Sequence, residues 1–275
     1  MEGEFLVVLI IPILSVLVLF GLFFMGLVDD ICIALFGRPM FIHFYFWKQD
    51  ISPGQEYLLR QKLSFYQKLD AKQKTYFNHR VARFLDKYQI IGRDGFLVTQ
   101  EVETLIAATY VMLTFGMRRF LVDTFDKIIV YPEVYLSTQT QEYYKGEFNP
   151  RMKAVVFSWE DFVSGYEISN DNLNLGIHEF SHVIHHHSLN RNDASSLAFK
   201  KHHAQLIKEV NHPPNMQMLI DSDYFRIYAY TNHYEFISVI IEHFFESPVE
   251  FHRRFPALYL NVSRMLNHPP VSLHR

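Results

Sequence analysis

The chain carries the pentapeptide His178-Glu179-Phe180-Ser181-His182, an H-E-x-x-H motif. Histidines at i and i+4 stand one helical turn apart on the same face, so both imidazoles can reach one metal ion. The glutamate beside the first then points at a water on that ion. A zinc ion held in this way lowers the pKa of its water to about 7, and a carboxylate that takes the proton prepares attack on a peptide carbonyl. The motif is short enough to arise by chance on a solvated helix, so the rest of the chain has to decide between the two.

A third ligand separates the known classes. The metzincin pattern requires Gly at 185 and His at 188, where this chain has His185 and Ser188, which excludes it. The gluzincin pattern instead takes a glutamate from a later helix. Residues 232–246 predict such a helix, with Phe236, Val239, Ile240 and Phe244 as its apolar stripe and Ser247-Pro248 as its stop. Glu235 and Glu242 lie two turns apart on it, and Tyr228 lies seven residues before Glu235. A carboxylate on a core-facing stripe implies a metal or a buried hydrogen bond; the alternative is a pair of solvated surface acids.

Several separated stretches resemble the Mlc titration factor A family of zinc peptidases. They are Asn174-Leu175-Gly176-Ile177-His178-Glu179-Phe180-Ser181-His182, Ile227-Tyr228-Ala229-Tyr230-Thr231-Asn232-His233-Tyr234-Glu235, Glu242-His243-Phe244-Phe245-Glu246-Ser247-Pro248 and Arg254-Phe255-Pro256-Ala257-Leu258. Shorter matches are Ile128-Ile129-Val130-Tyr131-Pro132, Ser158-Trp159 and Arg80-Val81-Ala82-Arg83-Phe84-Leu85, all in the family's order across residues 52–268. The resemblance implies that His178, His182 and Glu235 bind one Zn2+, that Glu179 is the general base and that Tyr228 steadies the oxyanion. It also implies an outer role for Glu242, orienting a ligand histidine. Some relatives are aminopeptidases, so an exopeptidase is implied. The family is named for sequestering a transcriptional repressor, so the competing expectation is a metal-bound interaction protein with little peptidase activity. A hydrolase of non-peptide carbonyl substrates is the third.

The chain departs from the family after His182, where Val183-Ile184-His185-His186-His187 replaces the usual Lys-Leu-Asp, at Asn232, and through residues 188–223. His185 and His186 could supply an alternative ligand, but a histidine run ending a helix is expected to face solvent, where it suits the C-terminal dipole. His202-His203 beside Lys200-Lys201 reads as a solvated face, and His43, His79 and His252 carry no signal.

Residues 5–28 contain no charge and would span about 36 Å as a helix, enough to cross a hydrocarbon core. Met1-Glu2-Gly3-Glu4 before it and Asp29-Asp30 after it lack the basic region and small-residue site of a cleaved signal, so a permanent anchor is expected. Arg38 and Lys48 follow the span and no basic residue precedes it, which places the catalytic domain on the cytoplasmic side of a bacterial inner membrane, single-pass. The aromatic run from 41 to 47, with Phe44, Tyr45 and Trp47, belongs either to the membrane interface or to the domain surface.

The organisation expected is therefore an anchor (5–28), a juxtamembrane segment (29–51) and a zinc peptidase domain (52–275). A net charge of −3 over 275 residues and no basic stripe argue against nucleic-acid binding. The single cysteine, Cys32, cannot build an intrachain disulfide and reads as a small apolar residue near the lipid boundary, lipidation being the alternative. Helices are expected over 52–69, after Asp70, and after Thr99, with a turn at Gly92-Arg93-Asp94-Gly95 and strands at 127–131 and 154–159. The second strand, just upstream of the motif helix, is expected to be the edge that pairs with substrate backbone. The fold class is α+β, mainly helical, a gluzincin-like domain with a small sheet after one transmembrane helix.

Overall fold

Helix α1 (Glu2–Phe36) opens the computed structural model, which describes residues 2–36, 39, 42–136, 141–167 and 171–270. From Ile10 onward α1 is long and apolar enough to cross a membrane, and its apolar side chains over most of that length are exposed. The helix runs on past residue 28, and its last turns pack against the rest of the chain. Asp29 is buried against Arg118, whose Nη2 donates to Asp29 Oδ1 at 2.8 Å. Cys32 and Ile33 are buried as well, and Lys201 Nζ donates to Ile33 O at 3.1 Å, satisfying a carbonyl at the helix end. Arg38 and Phe41 lie outside the described residues. Phe44, Phe46 and Trp47 are exposed, whereas Tyr45 is pinned inward by Arg80, whose Nε donates to its hydroxyl at 2.6 Å.

The helix expected over 52–69 is two, α2 (Pro53–Lys62) and α3 (Ser64–Lys68), because Leu63 turns extended (φ −113°, ψ 99°) and buries its side chain. Then follow α4 (Ala71–Lys87), opened by a reciprocal Asp70–Gln73 cap, β1 (Gln89–Gly92) and α5 (Gln100–Thr114), capped by Thr99. Sequence patterning passed over β1, whose four residues give too short a run to read. The turn after it holds Asp94 and Gly95 at φ 50° and 78°. The remaining strands are β2 (Lys127–Tyr131), β3 (Tyr135–Leu136), β4 (Tyr143–Tyr144), β5 (Gly146–Asn149) and β6 (Ala154–Ser158). After them come α6 (Trp159–Glu167), α7 (Leu175–Asn190), α8 (Ala194–Val210) and α9 (Pro213–Asp221). A 3-10 turn (Ile227–Tyr230) leads into α10 (His233–Glu246), α11 (Pro248–Arg254) and α12 (Pro256–Met265).

The larger sheet has the order β1-β2-β6-β5, with β1, β2 and β6 parallel and β5 antiparallel to β6 (Gly146 opposite Phe157). This corrects the expected substrate strand. β6 is flanked by β2 and β5 and has no open side; its five residues are all buried, and the free edge beside α7 belongs to β5. The fold is mainly helical α+β with a small mixed sheet and one N-terminal apolar helix, as the sequence led us to expect.

α7 divides its faces as its sequence dictates. Ile177, Phe180, Val183 and Ile184 are buried in the core. Phe180, inside the H-E-x-x-H motif, meets the rings of Tyr110 at 5.2 Å and Phe157 at 5.3 Å, which fixes the helix against α5 and the sheet. The opposite face carries His178, Glu179 and His182.

A cavity of about 680 Å3 lies behind the first turn of α7, lined among others by Phe65, Tyr166, Asn174, Ile177 and Glu246. Burial and the nearby Glu242 push the Glu246 carboxyl up to about 8. Between pH about 4.5 and 8 the unfolded chain has lost this proton and the folded chain keeps it, so stability falls as pH rises through that window. Glu246→Gln is expected to flatten that fall, by at most about 1.4 kcal/mol per pH unit, as read by urea unfolding at several pH values.

Candidate functional site

α7, α10 and the 3-10 turn build the site. Asn174 starts α7 as its cap: its Oδ1 accepts from Ile177 N at 3.0 Å and its Nδ2 donates to Gly165 O at 2.9 Å. One turn later His178 and His182 project together, their ring centroids 4.8 Å apart and nearly perpendicular. Asn232 caps α10 by accepting from Glu235 N at 3.0 Å, which holds Glu235 in the first turn of that helix.

Glu235 Oε2 lies 3.0 Å from His178 Nε2 and 3.6 Å from His182 Nε2. One atom from each of the three side chains falls within 4.8 Å of the others. Donors about 2.0–2.1 Å from a tetrahedral ion stand roughly 3.3 Å apart, so the trio has the size of a ligand set. Glu235 Oε2 is buried and makes no well-aligned hydrogen bond despite its closeness to both imidazoles, which fits a carboxylate aimed at a shared cation. Two imidazoles and one carboxylate are a suitable donor set for a divalent transition metal.

The far sides of both imidazoles are anchored. His178 Nδ1 is 2.7 Å from Glu242 Oε1, and Ser238 Oγ is 3.1 Å from His182 Nδ1. Glu242 is buried and fully engaged. Arg226 grips it with a fork, Nη2 to Oε1 at 2.7 Å and Nη1 to Oε2 at 3.0 Å, and Asn174 N donates to Oε2 at 3.2 Å. Arg226 also donates to Asn172 O at 2.6 Å. Burial alone would lower the pKa of His178, but Glu235 and Glu242 more than offset it and push it up to about 10; against the opposing effect of burial, His178 and His182 hold Glu235 well below the usual carboxylate range.

Glu179 is buried against the edge strand β5. The Phe148 backbone N–H donates to it, and burial raises its pKa although both motif histidines pull the other way. A Cβ on Gly146 would meet Leu175 Cδ1 at 2.7 Å and Glu179 Cγ at 3.0 Å, so a larger residue there would press on both side chains. Tyr228 is half exposed, its phenol hydrogen-bonds to Glu235, and burial together with that carboxylate pushes it up to about 12. It therefore stays a proton donor at every ordinary pH.

The five residues singled out by sequence and the sixth, Glu242, thus gather in one place. Sequence reasoning missed Arg226, Ser238 and the capping role of Asn174. Asn before an apolar-periodic helix was a readable cap signal, and Ser238 sits three residues after Glu235 on the same helix face. Arg226 gave no signal, because only folding brings it to Glu242.

The histidine run is corrected. His185 and His187 are buried, His187 Nε2 lying 3.8 Å from Asp193 Oδ2, and only His186 is half exposed, its ring 5.7 Å from Phe148. α8, formed by the poorly matching region, lies across the end of α7 and covers it, which a run read in isolation could not reveal. His202 is likewise buried rather than solvated.

Residues 45–266 match the family model of glucose-regulated metallo-peptidases, M90. The chain is 25% identical over 237 residues to an uncharacterized protein of Synechocystis sp., covering 78% of this chain and 83% of that protein. It is 22% identical over 213 residues to Mlc titration factor A of Serratia proteamaculans, covering 69% of this chain and 78% of the relative. With the metal-compatible trio on two packed helices and a family match over most of its length, the chain belongs to the glucose-regulated metallo-peptidase family M90.

Proposed function

We propose that the chain is a membrane-anchored zinc peptidase of the gluzincin type. His178, His182 and Glu235 would hold the ion, and Glu179 and Tyr228 would carry out the proton and charge chemistry. The observation that carries this reading is the buried Glu235 Oε2 set 3.0 and 3.6 Å from two histidine Nε2 atoms. When bound, zinc supplies the Lewis acid that acidifies a water and polarises the scissile carbonyl. Glu179 receives the water's proton on its carboxylate and returns it to the departing amine. Tyr228 donates its phenolic hydrogen to the carbonyl oxygen as negative charge builds there, a contribution of about 3 kcal/mol for a single such donor. Glu242 fixes the tautomer of His178 by accepting from Nδ1, and the Arg226 fork holds Glu242 in place.

An extended peptide would pair with the open side of β5, which runs past Glu179. The expected partition into an anchor (5–28), a juxtamembrane segment (29–51) and a catalytic domain (52–275) is part of the same proposal, as is a cytoplasmic catalytic domain. Hydrolysis of a peptide mixture by the full-length chain in detergent, followed by mass spectrometry, tests the proposal. Cleavage abolished by a zinc chelator and restored by Zn2+ is expected; cleavage indifferent to chelation contradicts it. Products shortened from the amino end would support the aminopeptidase mode.

Glu242→Gln is expected to weaken metal binding about 10–100-fold, the usual effect of losing an outer partner. A competition titration with a chromogenic zinc chelator reads it.

The name of the Serratia relative supports a second reading, a metal-bound regulator that sequesters a protein partner such as a transcriptional repressor. Partner binding that survives Glu179→Gln without any detectable hydrolysis by the unaltered chain would favour it.

A further inference from the structure

His185 is 1% exposed, and neither of its ring nitrogens has a hydrogen-bond partner. Such groups are rare in folded proteins and call for a physical explanation, an ion or water among them. The neighbour it meets is His203 of α8, whose Nε2 is also buried and unpartnered. Their ring centroids are 4.6 Å apart, close to the 4.8 Å between His178 and His182.

Helices α7 and α8 therefore bring two histidines together, neither of them part of the His178, His182 and Glu235 group. We propose that His185 and His203 form a second divalent transition-metal site, with water completing its shell. Imidazoles alone suit Zn2+, Cu2+ or Ni2+ and not Mg2+ or Ca2+, which take oxygen. Burial pushes His185 down to about 3 and lowers His203, so both rings are neutral and keep a lone pair for a metal at physiological pH. The site lies next to the first one: the Tyr234 ring stacks on His185 at 4.2 Å and stands 6.0 Å from His182. With fewer converging ligands and no carboxylate in its set, it binds more weakly than the first site.

The test is equilibrium dialysis of the metal-stripped full-length chain in detergent against ZnCl2, with elemental analysis. About two zinc ions per chain are expected at saturation, in a tight and a weak phase. His203→Gln and, separately, His185→Gln should remove the weak phase and leave the tight one, whose retention also reports that each variant is folded. Glu235→Ala should do the reverse, so failure of this site and failure of the proposed catalytic site give different results. Saturation at one zinc per chain, or a weak phase unchanged in His203→Gln, would overturn the inference.

Discussion

Glu179→Gln is expected to keep its metal and lose peptide hydrolysis, with kcat falling on the order of 10²–10⁴-fold, the usual share of a positioned general base. Gln has the same shape, so it fits beside Gly146 without disturbing the edge strand. Its amide oxygen can still accept from Phe148 N–H, and no ligand to the proposed ion is altered. What it cannot do is take a proton from water at neutral pH. Unchanged zinc content with a collapsed kcat would assign Glu179 to proton transfer; full turnover in this variant would remove it from the mechanism.

Glu235→Ala is the second large effect. It deletes the carboxylate that faces both histidine Nε2 atoms, and metal affinity should fall by more than the 10–100-fold expected for an outer partner such as Glu242. Folding should survive, because Glu235 is partly exposed in the first turn of α10, and the Asn232 cap bonds its backbone rather than its side chain. Competition against a chelator of known zinc affinity measures the loss, with circular dichroism as the folding control. Affinity equal to that of the unaltered chain would mean that the third ligand lies elsewhere.

Most of the site was legible because its parts are local in sequence. H-E-x-x-H encodes its own geometry through the helical repeat, and α10 announced itself by its apolar stripe, with Glu235 and Glu242 two turns apart. The strand at Lys127–Tyr131 and the caps at Asp70 and Thr99 were equally local. What escaped depends on chain crossings. Arg226 reaches Glu242 only after the 3-10 turn folds over α10, and β5 becomes the open edge only through its antiparallel return beside β6. The histidine run was misread for the same reason: its helical position suggested solvent, but α8 covers it. Leu63 shows a smaller version, a continuous helical pattern broken because burying that one leucine needs extended backbone.

The central claim, that two histidines and a glutamate hold one zinc ion for hydrolysis, is tested most directly by zinc K-edge X-ray absorption. The sample is the full-length chain purified without added metal, so that only the tight site is filled. About one zinc per chain is expected, with two imidazole nitrogens at about 2.0–2.1 Å, oxygen ligands at about 2.0–2.2 Å and no sulfur. A well-folded chain without stoichiometric zinc, or a zinc shell lacking the imidazole pair, would contradict it.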